Sequence, residues 1–207
     1  MTDPGSCSDA GFLSSFDGFD LLPAIVRLIA RGQPVSLDDI AEAAQRSRDD
    51  VNSVLRAQAG TDWDDDGRLL GLGLTLRPTA HRFTIPGRTL YTWCATDTFY
   101  FAIILDIPAL VESTCPATGQ AIRLELEPDG ITAANPSQTV VSQRHCAELV
   151  NDIRAQVCDH GNFYSSADAA ASWLSEHPDG ELLTVAETFE RCQATCKHLG
   201  WTKQPTP

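Results

Sequence analysis

Apolar residues recur every three or four positions in the first third of the chain and more nearly every second position in much of the rest. Leu21, Leu22, Ile25, Val26 and Ile29 form one stripe, with Pro23 in its first turn and Gly32 at its end. That is the pattern of an amphipathic helix. Ser36 followed by Asp39 reads as a capping box, and Leu37, Ile40, Ala41 and Ala44 give the next apolar face. Ser47 and Asp50 repeat the signal before Val51, Val54 and Leu55, and Gly60 ends the run. Asp65-Asp66-Gly67 is a turn signal. The run Leu70 to Leu76 and the segment Arg82-Phe83-Thr84-Ile85 then predict the two strands of a β-hairpin. Three short helices followed by a hairpin outline a winged-helix-like module.

Beyond Pro86-Gly87 the periods are mixed. Thr89 to Trp93 predicts a strand, and Cys94 to Leu105 a helix that is apolar on every side and therefore buried. Leu110 to Thr114, Ile122 to Leu126 and Thr139 to Val141 alternate as strands do. His145 to Val157 predicts a helix, Ser166 to His177 another, Leu182 to Val185 a strand and Glu187 to Leu199 a closing helix. The expected fold class is α+β. Residues 1–18 read as a flexible N-terminal arm, 19–86 as a winged-helix-like helical domain and 87–207 as a mixed α/β domain carrying the chemistry. No internal repeat or low-complexity tract interrupts this order.

Charge narrows the possible partners. The 207 residues include 15 Lys and Arg against 28 Asp and Glu, a net charge of −13. Non-specific nucleic-acid affinity is supplied by cationic charge, so a winged helix this acidic argues for a structural or lid role rather than DNA recognition. Lys197 and Lys203 are the only lysines, so no polybasic membrane patch exists. No run approaches the ~18 uninterrupted apolar residues of a membrane helix. The first twenty residues carry four Asp and no Lys or Arg, unlike a secretory signal. A cytoplasmic location is expected, where thiols stay reduced. The acidic run Asp62, Asp64, Asp65 and Asp66 lacks the calcium-loop pattern and reads as a solvated turn.

The cysteines then become informative. There are seven, Cys7, Cys94, Cys115, Cys146, Cys158, Cys192 and Cys196, with no C-x-x-C among them. The odd number and irregular spacing argue against a disulfide framework or a four-thiolate zinc site. Cys94 and Asp97 lie three apart at the start of a helix, so thiol and carboxyl share one face. A helix N-terminus is expected to lower the Cys94 pKa, and burial to raise that of Asp97. The plain alternative is a packed cysteine with Asp97 as a cap. Cys158 precedes Asp159-His160, and His160 could serve as a base for Cys158 or Cys94, although no third member of a triad can be named. Cys115 ends a strand at Cys115-Pro116-Ala117-Thr118-Gly119 and reads as packing. Cys192 and Cys196 lie one helical turn apart. They could grip a soft metal, but two ligands make a poor site and packing is favoured. Cys7 reads as mobile and Cys146 as core. No Walker loop, G-x-G-x-x-G after a strand, G-x-S-x-G or H-E-x-x-H is present.

Three segments carry a family likeness: Gly71-Leu72-Gly73-Leu74-Thr75-Leu76-Arg77, then Leu90 to Thr98 with its W-C-x-x-D motif, then Cys158 with Asp159-His160 and Phe163-Tyr164. With Cys115 to Gly119 they make the chain resemble the alkylmercury (organomercurial) lyases from about residue 20 to 190. The resemblance implies a winged-helix-like domain on a mixed α/β domain. It implies that Cys94 and Cys158 bind mercury and that Asp97 relays a proton, with Cys115 structural. In that family the distant cysteine is often followed by a second one, where this chain has Asp159. The implied reaction is protonolysis of a carbon–mercury bond without a cofactor, in an apolar pocket suited to methyl or phenyl groups. The implied partners are an organomercurial, small cellular thiols and a mercuric reductase, with no nucleic acid or membrane. Two other classes fit the same residues: a mercury- or metal-sensing winged-helix protein, and a thiol redox protein using Cys94 and Cys158.

Overall fold

The computed structural model describes residues 18–144 and 152–202. The predicted flexible arm, Cys7, Cys146 and the first half of the predicted 145–157 helix lie outside the described residues. A 3-10 turn at Phe19–Leu21 leads into α1 (Leu22–Ile29), with Pro23 in its first turn. α2 (Leu37–Ala44) and α3 (Arg48–Arg56) follow, and both begin as the sequence writes them. The Ser36 hydroxyl accepts the Asp39 amide at 3.1 Å, and the Ser47 hydroxyl accepts the Asp50 amide at 3.2 Å. Such caps contribute about 1 kcal/mol each. Ile25, Ile29, Ile40 and Leu55 are almost fully buried between the three helices and the sheet beneath them.

The strands depart from the expected hairpin. β1 (Asp62–Trp63), β2 (Leu69–Leu72), β3 (Leu74–Thr75), β4 (His81–Ile85) and β5 (Arg88–Thr92) come next in the chain. The run 70–76 is two strands rather than one. Gly73, at φ 74°, reverses the chain, so β2 pairs with β3. A side chain is rarely tolerated at that φ, and here its Cβ would also lie 2.7 Å from the Phe101 ring. The segment 82–85 pairs with β5 instead, through Phe83 opposite Leu90. β3 also pairs with β5, so these strands join one sheet with those that follow α4 (Ala95–Leu105), namely β6 (Ala109–Thr114), β7 (Ala121–Glu127) and β8 (Gly130–Asn135). The eight-stranded order is β1-β2-β3-β5-β4-β6-β7-β8, with antiparallel pairing throughout.

The rest of the chain builds a second layer. β9 (Val140–Arg144) is followed, within the described residues, by α5 (Ile153–Gln156) and a 3-10 turn at Cys158–His160. Then come β10 (Phe163–Tyr164), α6 (Ala171–Glu176), β11 (Gly180–Thr184) and α7 (Val185–His198). β9 is the middle strand of a small sheet, ordered β10-β9-β11. α4 runs through the centre, packed against α1, α7 and strands of both sheets. Nine of its residues are buried, including Phe99, Phe101 and Ile104, as its all-round apolar sequence requires. Burying each such side chain is worth about 1.5–3 kcal/mol.

Candidate active site

Cys94 occupies the N-cap of α4, immediately after β5, and takes extended backbone angles there. Asp97 is the third residue of the helix, and its carboxylate turns back to accept the Cys94 amide at 3.3 Å. The two residues form a capping box in which a thiol stands where a hydroxyl is usual. The sequence spacing therefore does what it predicts, placing thiol and carboxyl side by side.

Cys158 reaches the same point from the other layer. It opens a 3-10 turn, and Gly161 closes that turn with its amide on the Cys158 carbonyl at 2.9 Å. The Gly161 carbonyl accepts the Ala95 amide at 2.9 Å, which ties the turn to the head of α4. Ser142 on β9 braces it further, donating to the His160 carbonyl at 2.8 Å and accepting the Asn162 amide at 3.0 Å. The result is that the Cys94 sulfur, a carboxylate oxygen of Asp97 and the Cys158 sulfur all lie within 4.8 Å of one another. It is the one group of three or more such ligands among the described residues.

Burial sets the electrostatics. Desolvation raises Asp97 from 3.8 to about 6, although Cys94 donates hydrogen bonds to it. The hydrogen bond to Cys158 raises Cys94 well above an ordinary thiol, and burial and the Asp97 charge add to that. The same bond favours the Cys158 thiolate. Burial and the charges of Asp97 and Asp159 outweigh it and leave Cys158 raised as well. The expected lowering of Cys94 by the helix N-terminus is thus corrected. The end charge of a helix is partial, whereas desolvation and a neighbouring carboxylate act on the full thiolate charge. Both thiols therefore hold their protons more tightly than an ordinary cysteine, with Asp97 beside them.

Two cavities meet at these groups. The larger, about 90 Å³, is walled by Phe19, Leu22, Tyr100, Phe101, Ile153 and Trp201, with Gln143 and Arg144 at a polar edge. The smaller, about 40 Å³, lies toward Leu72, Gly73 and Trp93. Asp97 and Cys158 line both.

Several residues matter here that the sequence reading passed over. Asp62 does not belong to a solvated acidic turn: it is 9% exposed and fully engaged. One of its carboxylate oxygens accepts from the Trp93 indole at 3.1 Å and from Thr75 at 2.9 Å, and the other from Arg154 at 3.0 Å. Arg154 also lies over the Trp93 ring at 5.1 Å. Asp62 therefore fastens the α5 segment, just before Cys158, to the residue just before Cys94. The acidic run as a whole hid this, because Asp64 and Asp66 do stay in the turn on Arg68. His81 is 2% exposed, and burial pushes its ring down to about 4. It is a neutral strut, with Nδ1 3.0 Å from the Ser113 hydroxyl and its edge on Phe163.

The remaining candidates fall elsewhere. The His160 ring meets His177 at a centroid distance of 5.1 Å and approaches Arg144 at 3.4 Å. Asp159 is mostly exposed, 3.8 Å from Arg154. Cys115 sits in its turn with the Ser165 hydroxyl 3.6 Å from its sulfur. Burial raises that thiol, but hydrogen bonds from Thr118 and Ser165 outweigh it and bring the pKa to about 7. Cys192 and Cys196 are buried in α7, and burial pushes Cys196 up to about 12. No helix among the described residues is long and apolar enough to cross a membrane.

Comparison with known proteins gives a consistent result. Residues 17–73 match the helix-turn-helix domain of alkylmercury lyase, and residues 74–196 match the alkylmercury lyase family. The chain is 42% identical over 166 residues to the alkylmercury lyase of Streptomyces lividans, covering 80% of this chain and 77% of that one. It is 39% identical over 170 residues to that of Bacillus cereus, with 82% and 78% covered. A crystal structure of the mercury-bound form of MerB2 shares its fold, with a TM-score of 0.75 at 22% identity over 93% of this chain and 98% of that one.

Proposed function

This chain belongs to the alkylmercury lyase family, and from that premise we propose that Cys94 and Cys158 hold the mercury of an organomercurial while Asp97 moves the proton that breaks its carbon–mercury bond. The enzyme is a lyase acting on carbon–mercury bonds. The observation that carries the residue assignment is the convergence of two sulfurs and one carboxylate oxygen within 4.8 Å, from opposite layers of the fold.

The chemistry follows from softness and proton affinity. Mercury(II) is soft and prefers thiolate. The Cys158 thiolate displaces the weak counter-ligand of R–Hg⁺. Asp97 then accepts the proton of Cys94, and Cys94 becomes the second ligand. Two thiolates raise the electron density on mercury and on the attached carbon. Asp97 returns its proton to that carbon, and R–H leaves. The balance is R–Hg⁺ plus two thiols giving R–H, a mercury dithiolate and one proton. A carboxyl raised to about 6 can both accept and donate a proton near neutrality. General-acid help of this kind is worth ~10²–10⁴-fold, and holding all three groups about one atom adds an orientational gain.

Product mercury(II) stays on the dithiolate until small cellular thiols or a mercuric reductase remove it. A cytoplasmic location supplies those thiols and keeps Cys94 and Cys158 reduced. The helical module acts as a structural wall: Phe19 and Leu22 from its start line the cavity. With a chain charge of −13 it takes no nucleic acid. We read residues 19–86 as the winged-helix-like module and 87–207 as the mixed α/β domain, with one sheet running through both.

The test is incubation of the purified chain with phenylmercury and excess small thiol, with benzene followed by gas chromatography. Cys94→Ser and Cys158→Ser should each abolish turnover. Full activity in Cys158→Ser would sink the two-thiolate mechanism. A band shift with DNA at low salt, where electrostatic binding is strongest, would revive the sensor reading.

A further inference from the structure

We infer that Trp201 is the specificity-determining residue of the larger cavity, the wall that favours a flat aryl substituent on mercury over a methyl group. The inference rests on the lyase reading above and adds to it the class of substrate. Trp201 lies beyond residues 74–196, over which the family is matched.

Its position is built from the backbone upward. α7 ends at Gly200, whose φ of 68° reverses the chain. The Trp201 amide reaches back to the Cys196 carbonyl at 2.8 Å, and the Gly200 amide to that of Lys197 at 3.3 Å. These are the two hydrogen bonds of a Schellman motif, which folds the residue after the glycine onto its own helix. Arg27 of α1 then donates to the Trp201 carbonyl at 3.3 Å and to the Ile104 carbonyl, at the end of α4, at 3.4 Å. Trp201 is thereby fastened to two helices, and it is 5% exposed.

There the indole becomes part of a three-ring wall. Phe19 stacks on it with centroids 6.0 Å apart and planes 21° apart, and Tyr100 meets it edge-on at 6.3 Å. All three line the cavity that Cys94, Asp97 and Cys158 also line. Ring systems attract other rings through offset and edge-to-face contact, which a methyl group cannot reproduce. The space also suits a ring. At ~10–15 Å³ for each water-sized group, a cavity of about 90 Å³ admits about six to nine such groups, whereas a methyl leaves most of it unfilled. Trp201 supplies neither a sulfur nor a proton. Its removal should therefore weaken turnover of an aryl substrate more than that of a methyl one.

The experiment compares the parent chain with Trp201→Leu and Trp201→Phe, at equal content of mercury-binding dithiol. Phenylmercury and methylmercury are the substrates, with benzene and methane read by gas chromatography. Trp201→Leu keeps apolar bulk without a ring. It should lose about 10-fold in kcat/KM for phenylmercury and severalfold less than that for methylmercury, within the range one altered apolar contact commands. Trp201→Phe should retain most of the phenyl preference. An equal fall on both substrates, or an unchanged phenylmercury value in Trp201→Leu, overturns the inference and leaves the lyase standing. A parent chain that releases neither hydrocarbon overturns the lyase reading itself, and this inference with it.

Discussion

Gly161 and Ala95 share one backbone hydrogen bond of 2.9 Å, and it joins the two halves of the dithiol. The same glycine lets them approach: a Cβ built on Gly161 would lie 2.9 Å from the Cys94 Cβ and 3.6 Å from its sulfur. Gly161→Ala must push the Cys158 turn away from α4. Overpacking of this kind costs about 1–3 kcal/mol. The variant should stay folded, lose at least ~10-fold in hydrocarbon release through misplacement, and give up mercury(II) more easily to a competing dithiol chelator.

Asp97→Asn separates binding from bond cleavage. Both thiols remain, so the variant should still take up phenylmercury one-to-one, seen as a mass increase. Release of benzene from that complex should fall by ~10²–10⁴-fold, because no carboxyl is left to carry the proton. Unchanged release would show that the proton comes from elsewhere.

The same substitution has a signature in stability against pH. The Asp97 pKa is raised from 3.8 to about 6 in the folded chain, so in that window the folded state holds a proton that the unfolded state does not. Stability therefore falls as pH rises through the window, by up to about 3 kcal/mol for this group. An asparagine cannot ionise. Asp97→Asn should be more stable than the parent at about pH 8, and the gain should vanish below about pH 4. Urea denaturation at several pH values reads the difference, and a pH-independent gain would contradict the assignment.

Asp62→Ala tests the strut behind the site. It leaves the Trp93 indole, the Thr75 hydroxyl and the Arg154 guanidinium without their shared acceptor. Arg154 is 32% exposed, so the cost is chiefly that of the buried donors left unmet, about 1–3 kcal/mol. Turnover should fall in the surviving folded protein as well, because Arg154 anchors the segment that leads to Cys158. Asp62→Asn keeps an acceptor and should lose less on both measures.

What the sequence revealed and what it concealed divide along the range of the interaction. The two serine caps, Gly32 and the all-apolar Cys94–Leu105 helix are written within a few residues, and all stand where the local pattern puts them. Cys94 and Asp97 were likewise legible as a pair, because one helical turn sets their distance. That Cys158 joins them came only from family likeness, since two backbone hydrogen bonds at Gly161, rather than any local pattern, close the gap. The hairpin expected from 70–76 and 82–85 failed on one residue, Gly73, which reverses the chain inside a run that alternates like a single strand. Asp62 was misread because its partners lie 13, 31 and 92 positions away. Trp201 gave no signal, since a lone tryptophan after a helix looks like a tail until its neighbours are known. The direction of the Cys94 shift failed because its leading cause, the hydrogen bond to Cys158, joins residues far apart in the chain, and burial adds to it.

The helix that bears Cys94 and Asp97 has almost no face left to solvent, and this constrains how such a protein can diverge. Any replacement that retunes the reacting groups also disturbs the innermost packing, so reactivity is locked to foldability. The aromatic wall, by contrast, draws only Tyr100 from that helix and takes Phe19 and Trp201 from outside it. New substrates should thus be gained by altering Phe19 and Trp201 while the reacting core stays fixed.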